Sequence, residues 1–254
     1  MKVLILAAGY ATRLYPLTLT QPKPLLPVAG KPMIEYVLDN IAPIGVDQVY
    51  VVTNAKFAGH FQRWADNYRD TKAKLNFTIV NDGSTDDTNK LGAIGDLHLV
   101  LTKENVDDDL MVVAGDNLFS QSLEAFGRFC REKNAPVIGV YDVGSLEQIK
   151  KYSAITVASD GHITSFEEKP KDPKSTITGI ALYFYPKSVL PLIKQYIAEG
   201  NNPDQPGRLV QWLYPRTPFY TWTVPGTWFD IGSKETLEEA NKIFGARSGK
   251  QLVH

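Results

Sequence analysis

A short segment near the start of the chain carries residue types suited to binding a polyphosphate. It reads LAAGYATRL from Leu6 to Leu14 and is followed by PKPLLPVAGKPMIEY from Pro22 to Tyr36. Gly9 and the small alanines beside it let the backbone approach a ligand closely, with exposed N–H groups facing its oxygens. Arg13 and Lys23 supply the positive charge that a triphosphate requires. The segment predicts a phosphate-binding loop, and a surface turn with two solvated cations is the alternative.

Two aspartates stand in motifs that could hold a divalent cation. LMVVAGDN, Leu110 to Asn117, is an apolar strand-like run followed by Asp116, and open α/β sheets place their ligands at such carboxyl ends. A plain strand-ending turn is the alternative for Gly-Asp-Asn. Because one aspartate binds hydrated Mg²⁺ weakly, a second carboxylate should accompany it. GTWFDIGS, Gly226 to Ser233, supplies Asp230, whose other role would be a helix cap, although Ser233 is better placed for that.

A third motif, FEEKP from Phe166 to Pro170, places a glutamate and a lysine at the end of a predicted strand. Lysine suits a sugar phosphate as a point charge, and glutamate suits sugar hydroxyls as an acceptor. Strand alternation points Glu168 and Lys169 to opposite faces unless the chain has already bent at Pro170. An exposed, charged strand end is the alternative.

The elements that must position these motifs follow from hydrophobic periodicity. Apolar runs alternate with helical patterns through the first 150 residues, which predicts parallel strands joined by crossover helices. The predicted strands of this half are Lys2 to Leu6, Gln48 to Thr53, Phe77 to Val80, Leu110 to Ala114 and Pro136 to Tyr141. The predicted helices are Met33 to Ile44, Phe57 to Tyr68, Ile94 to Leu101 and Leu123 to Lys133.

After about residue 150 the predicted elements are short strands without long helices between them. This pattern predicts a small antiparallel extension on the same sheet. Its strands are Ala154 to Val157, Ile163 to Glu167 and Gly179 to Tyr185, followed by helices at Ser188 to Ala198 and Lys234 to Phe244. Repeats and flexible linkers are lacking in the sequence. We therefore expect one domain over 1–254, with a nucleotide half at about 1–150 and an acceptor half at about 151–254.

Composition narrows the function classes. The chain has 254 residues, 43% of them hydrophobic, which is enough for a full α/β core. The 27 Lys and Arg residues are balanced by 28 Asp and Glu residues, so the chain has no overall positive charge that would attract nucleic acid. Any binding of anions must therefore depend on local groups of positive side chains. The single Cys130 excludes internal disulfides and thiolate metal clusters. No segment has the ~20 apolar residues of a membrane span, so a cytoplasmic setting is the default, and a homo-oligomer is compatible with this composition.

These motifs carry a resemblance to a known family. LAAGYATRL is similar to the signature loop LAAG-x-G-TRL of the sugar-1-phosphate nucleotidyltransferases, which include glucose-1-phosphate thymidylyltransferases and mannose-1-phosphate guanylyltransferases. The resemblance spans nearly the whole chain and implies a Rossmann-like, three-layer α/β fold of the GT-A-like kind, with a mixed, mainly parallel sheet. We expect one nucleotidyltransferase domain without the C-terminal β-helix that some relatives carry. Ala11 stands where the family usually has glycine, so a left-handed backbone there would be strained.

Motif and resemblance together predict the site, with Mg²⁺ held by Asp116 and Asp230 and with Arg13 and Lys23 as catalytic cations. The nucleotide-binding residues are predicted to be Leu6, Ala7, Ala8, Gly9, Ala11, Thr12, Arg13, Lys23, Asn81 and Gly92. The sugar-phosphate-binding residues are predicted to be Asn117, Tyr152, Glu168, Lys169, Thr178 and Gly179.

The chain departs from the family pattern in the segments that correspond to the base-binding and sugar-binding segments of its relatives. Asn81 and Asp82 replace a familiar Glu-Gln pair, Ala93-Ile94 replaces Thr-Ala, and Ser153 replaces a glycine after Tyr152. The polar loop before Leu91 is either an ordinary mobile loop or a lid over substrate. Because asparagine offers both a donor and an acceptor to a pyrimidine, we expect dTTP or UTP to be preferred.

The reaction that these charges predict is attack by a sugar 1-phosphate oxygen on the α-phosphorus of a nucleoside triphosphate, with release of pyrophosphate. The phosphate nucleophile is already ionised, so no general base is needed, and the four histidines form no catalytic constellation. Three alternatives remain open. They are a cytidylyltransferase acting on a non-sugar phosphate such as phosphocholine or inositol phosphate, a dinucleotide-dependent oxidoreductase, and a non-catalytic regulatory homologue. The loop lacks the three-glycine spacing of the oxidoreductases.

Overall fold

The computed structural model describes residues 1–72 and 75–251. Its strands are β1 (Lys2–Leu6), β2 (Pro27–Val28), β3 (Lys31–Pro32), β4 (Gln48–Thr53), β5 (Asn76–Asn81), β6 (Leu110–Ala114), β7 (Asn117–Phe119), β8 (Val137–Asp142), β9 (Ser153–Val157), β10 (Ile163–Glu168), β11 (Ile177–Tyr185), β12 (Tyr220–Thr223) and β13 (Trp228–Asp230). Its α-helices are α1 (Met33–Ile41), α2 (Ala58–Lys72), α3 (Ala93–Lys103), α4 (Glu124–Lys133), α5 (Leu146–Ile149), α6 (Leu190–Ala198), α7 (Pro206–Leu213) and α8 (Lys234–Gln251).

A seven-stranded sheet runs through this part of the chain in the order β12-β8-β11-β6-β1-β4-β5. Strands β5, β4, β1 and β6 are mutually parallel, and β11 is antiparallel to both of its neighbours. The chain moves from β1 outward to β4 and β5 and then returns to β6 on the other side of β1. The order therefore reverses between β1 and β6, and open α/β sheets bind ligands at the carboxyl ends of strands at such a point.

Helices cover both faces of this sheet. Alternation along β1 points Val3 and Ile5 into one buried cluster with α1, α2 and α4, and Leu4 into a second cluster with α3, α6 and α7. The two clusters form the interfaces of a three-layer α/β/α arrangement, which confirms the predicted fold class. No helix of the described residues is long and apolar enough to cross a membrane.

A third, smaller cluster ties the loops at the carboxyl edge together. It joins the segment between β1 and α1 to β7, to the residue after β13 and to α8. Its buried residues are Leu14, Leu26, Val28, Met33, Leu118, Ile231, Ala240 and Phe244. Strands β7 and β13 pair antiparallel, with Asn117 opposite Asp230. This pairing places the two predicted metal-binding motifs side by side.

Several predicted elements need correction. The antiparallel strands are not all on the main sheet, because β9 and β10 pair only with each other among the described strands, whereas β11 lies inside the sheet. The reason is visible in burial: most of β11 is buried, whereas β10 keeps one face exposed. Helix α1 ends at Ile41, and Pro43, which lacks an N–H group, continues the chain as a 3-10 turn. The sequence patterns also missed α7 and β12.

Candidate active site

A cleft of about 360 Å³ opens where the strand order reverses. Its floor is made by the carboxyl end of β1 and the loop that follows it, and by the end of β6. The residues that line it are Leu6, Ala7, Ala8, Gly9, Ala11, Arg13, Lys23, Pro24, Lys90, Gly92, Ala93, Asp96, Ala114, Asp116, Ala181, Asp204 and Pro206. Cations and carboxylates from distant parts of the sequence therefore share one cavity.

The loop after β1 is held in place by hydrogen bonds from its surroundings. The Asn54 amide donates to the Ala8 carbonyl at 3.0 Å, and the Thr18 hydroxyl donates to the Ala11 carbonyl at 2.8 Å. Ala11 has φ 47° and ψ 46°, the left-handed conformation that the sequence analysis identified as strained for alanine. Because these bonds fix the loop, its backbone N–H groups and Arg13 keep a constant position relative to the cleft that they line.

Lys23 and Asp116 form an ion pair within the cleft. Lys23 Nζ lies 2.5 Å from Asp116 Oδ2, and only 12% of the lysine side chain is exposed. The packing depends on Gly115, where an added Cβ would lie 3.1 Å from Pro24 Cβ and 3.0 Å from Ile5 Cγ2. A side chain at position 115 would require Pro24 or Ile5 to shift by a few tenths of an ångström.

Asp230 completes this charged group. Desolvation by the surrounding protein raises the pKa of Asp230, the nearby Asp116 carboxylate raises it further, and Lys23 and Arg13 oppose the rise. Asp230 also raises the pKa of the Tyr152 phenol, which burial already raises. Two carboxylates that repel each other beside two cations form a site whose charge balance a divalent cation or a polyanion would change.

The opposite end of the cleft is formed by the start of α3 and the loop before α7. A Cβ at Gly92, which has φ 81°, would lie 2.5 Å from Asp204 Cα, so only glycine permits this close contact. The N–H groups of Ala93 and Ile94 donate to the carbonyls of Asp204 and Pro203 at 3.0 and 2.8 Å. These bonds satisfy the start of α3 and bring the second half of the chain against the first.

A second cavity of about 250 Å³ continues beyond the first. Ala181 and Pro206 line both cavities, so the two share a wall. The remaining residues that line it are Ile138, Lys151, Tyr152, Ser153, Phe166, Glu168, Gly179, Tyr183, Gln205 and Gly207. Burial raises the pKa of Glu168, and the positive charges of Lys169 and Arg208 oppose that rise.

Most of the residues predicted for the site line one of these two cavities, but six do not, and one of the six is Asp230, the last residue of β13. Thr12 is exposed beside the cleft, and Lys169 is exposed where its φ of 49° turns the chain at the end of β10, one residue earlier than the bend considered at Pro170. The side-chain carbonyl of Asn81 accepts a hydrogen bond from the backbone N–H of Gly83 in the turn that follows it. The Asn117 amide donates to the Ala181 carbonyl and accepts from the Trp228 indole. Thr178 is fully buried. Their assigned roles stay predictions.

The sequence analysis missed several residues that line the cavities. Asp204, Gln205, Pro206 and Gly207 lie in and just before α7, which the patterns left unassigned. Pro206 at the first helical position and apolar residues at Leu209, Val210 and Leu213 are signals that could have identified this helix. Asp96 was also missed, because an aspartate one turn into a helix is usually solvated.

Because of Asp96, the free energy of unfolding should depend on pH in a way that can be tested. Burial, and to a smaller extent the neighbouring Asp82 carboxylate, raise the pKa of Asp96 to about 8. The folded chain therefore keeps a proton that the unfolded chain releases near its ordinary pKa of 3.8, so this group costs stability increasingly from about pH 4 up to about pH 8. We expect Asp96→Asn to stabilise the fold by an amount that grows over this range and reaches about 1 kcal/mol or more at pH 8.

Urea unfolding of both proteins at several pH values measures this difference. The exposed Asp108→Asn serves as the matched control, and its stability difference should not follow the same rise. A pH-independent difference between Asp96→Asn and the unsubstituted chain would contradict the assignment.

Both the sequence and the fold of the chain are similar to those of known proteins. The sequence profile described as nucleotidyl transferase matches residues 2–246. A "Bifunctional protein GlmU" of Methanocaldococcus jannaschii is 26% identical over 95% of this chain and 54% of its own length. A UTP–glucose-1-phosphate uridylyltransferase of Synechocystis sp. is 29% identical over 91% of this chain and 60% of its own length. The chain thus spans little more than half the length of these curated relatives.

Solved structures agree on the fold. The crystal structure of a UDP-glucose pyrophosphorylase complexed with UDP-glucose superposes with a TM-score of 0.82 at 21% identity, covering 97% of this chain and 98% of the other. At this identity the likeness concerns the fold, and it places the seven-stranded sheet and its flanking helices in the same arrangement.

Proposed function

Since the chain belongs to the nucleotidyl transferase family, we propose that it transfers a nucleotidyl group from a nucleoside triphosphate to a sugar 1-phosphate, with release of pyrophosphate. The observation that carries this proposal is the charged group at the point where the strand order reverses. Arg13, Lys23 and Asp116 line one cleft there, and the charges of both cations and of Asp116 act on Asp230. The second cavity, reached past Ala181 and Pro206, offers room for the acceptor.

The donor set at Asp116 and Asp230 fits Mg²⁺. This ion is usually bound through one or two carboxylates, with waters and substrate phosphates as the other ligands. Among the described residues, no group of three or more His, Cys, Asp or Glu side chains could hold a metal, so these two carboxylates would need substrate oxygens to complete the coordination. Bound there, Mg²⁺ would supply charge neutralisation at the phosphates.

The chain's own residues would align two polyanions that repel each other. The glycine-containing loop and Arg13 would bind the triphosphate, and Lys23 would balance charge on the leaving pyrophosphate. The second cavity would hold the sugar, with Glu168 accepting bonds from its hydroxyls. A sugar phosphate is already ionised at neutral pH, so none of these side chains needs to remove a proton.

The nucleotide is proposed to be a pyrimidine, with dTTP or UTP preferred. A pyrophosphate-release assay with Mg²⁺ tests the whole proposal when five nucleoside triphosphates are combined with the 1-phosphates of glucose, mannose, galactose and N-acetylglucosamine. We expect turnover with at least one pair. A preference for GTP or ATP would remove the base assignment only, whereas turnover solely with phosphocholine or inositol phosphate would favour the non-sugar cytidylyltransferase.

Two substitutions should separate the two substrates. Arg13→Ala is expected chiefly to impair use of the triphosphate, because Arg13 lines the first cleft. Lys169→Ala is expected mainly to raise KM for the sugar phosphate, by the equivalent of about 1.5–3 kcal/mol for a charge-assisted hydrogen bond. Steady-state kinetics with each substrate varied in turn measures both effects. Equal effects of both substitutions on both substrates would contradict the division.

A further inference from the structure

The nucleotide cleft contains a buried carboxyl oxygen that the proposed chemistry does not use. Asp96 is 5% exposed and lines the cleft, and its Oδ1 atom has no hydrogen-bond partner among the described residues. A buried polar atom without a partner costs free energy, so an unused oxygen at the wall of a binding cleft indicates a group that a ligand satisfies.

The position of Asp96 suits contact with a base rather than with phosphates. It lies one turn after Gly92, whose carbonyl accepts the Asp96 backbone N–H at 2.8 Å, and both residues line the end of the cleft formed by α3. Arg13, Lys23 and Asp116 form the charged group where phosphate would bind, whereas Lys90 and Asp204 pair with each other at the α3 end of the cleft. A nucleotide with its phosphates on that charged group would extend its base toward α3.

Asp96 is next to a hydrogen-bond network that begins at Asp82. Asp96 lies within hydrogen-bonding reach of Asp82, whose carboxylate accepts the Ser84 N–H at 2.7 Å and the Ser84 hydroxyl at 2.8 Å. The Ser84 hydroxyl in turn lies 3.4 Å from the hydroxyl of Tyr10, next to the phosphate loop. With a proton on its other carboxyl oxygen, Asp96 would offer Oδ1 to a ligand as a carbonyl-type acceptor.

We propose that Asp96 determines base specificity, with Oδ1 accepting a hydrogen bond from the N3–H group of uracil or thymine. The Gly92 backbone lines the same end of the cleft, so a donor and an acceptor lie together, and the imide edge of these bases presents a donor beside carbonyl acceptors. This inference rests on the proposed function, because it identifies the base that the nucleotide cleft reads.

A methylated nucleotide tests the contact directly. Binding of UTP and of 3-methyluridine triphosphate, which lacks the N3–H group, is measured by equilibrium dialysis with Mg²⁺ and without a sugar phosphate. The unsubstituted protein should bind UTP about tenfold or more tightly than the methylated probe, and Asp96→Ala should reduce this ratio to about threefold or less. Asp204→Ala, which truncates another carboxylate of the same cleft, should change both affinities by the same factor.

A second readout uses pH. Asp82 is the charged group that acts on Asp96, and Lys90 and Asp204, which pair at 3.5 Å, line the same cleft. The side chains of β1, β4, α6 and α7 that share the second buried cluster with α3 are hydrophobic. UTP binding should weaken as Asp96 loses its proton above about pH 8, whereas Asp96→Asn should bind without that step. This variant keeps an acceptor of the same shape and also guards against a folding failure of Asp96→Ala.

The outcomes separate the two proposals. If UTP binds but the ratio of the two probes is the same in the unsubstituted chain and in a folded Asp96→Ala variant, the assignment of Asp96 is overturned and the nucleotide cleft stands. If no triphosphate binds to the unsubstituted protein, the proposed function fails and the assignment fails with it.

Discussion

Replacing either Asp116 or Asp230 by asparagine is expected to reduce turnover by roughly a hundredfold or more while the protein stays folded. Each change removes one negative charge from the paired strands β7 and β13 or the turn before them, and it preserves the shape of the side chain. At the proposed site the lost charge would weaken the binding of Mg²⁺ and therefore the neutralisation of the phosphates. Measurement of kcat at saturating Mg²⁺ and substrates gives the effect.

A matched control for these aspartates lies at the opposite end of β1. Asp47 pairs with Lys2 at 2.9 Å and is 57% exposed, outside both cavities. Asp47→Asn should leave turnover near that of the unsubstituted chain. Near-normal turnover of Asp116→Asn or of Asp230→Asn would show that the aspartate concerned does not hold the metal.

Loss of Lys23 is expected to have an effect of similar size. Lys23→Ala removes the cation that pairs with Asp116 and acts on Asp230, so only Arg13 is left to offset the repulsion between the two carboxylates. We expect kcat/KM for the triphosphate to fall by roughly a hundredfold, the range found when one group stabilising transition-state charge is removed. Stopped-time assays of pyrophosphate release at several triphosphate concentrations measure the fall.

Lys2→Ala is the control for this prediction, because it removes a lysine from an exposed ion pair and such pairs contribute little. A conservative Lys23→Arg variant separates charge from geometry. If Lys23→Ala lowered only the stability of the fold and left kcat/KM unchanged, Lys23 would be a structural residue.

The sequence by itself predicted the elements whose patterns are strong and local. Strands β1, β4, β5 and β6 are short apolar runs bounded by polar residues, and each was placed to within a residue or two. Helices α3 and α4 carry apolar residues at three- and four-residue spacing, and they begin and end close to the predicted positions. Local periodicity determines such elements because one face of each must be buried.

The sequence motifs also indicated that Arg13, Lys23 and Asp116 belong at the ends of strands, where a sheet of this kind binds ligands. Chain order cannot show which strands are neighbours. That β1 and β6 lie side by side, that β7 pairs with β13 and that β11 enters the sheet in reverse are decided by long-range pairing. These pairings depend on contacts between residues far apart in the sequence, which no local pattern encodes.

Asp96 shows most clearly what the sequence alone cannot predict. As a residue in a helix it has an ordinary sequence environment, and a polar side chain there is commonly exposed. The fold places it against Asp82 and beneath the nucleotide cleft, where burial keeps it protonated and leaves one oxygen without a partner. Its chemistry follows from desolvation and from a neighbouring charge, and both are properties of tertiary structure because they depend on what surrounds the side chain in space.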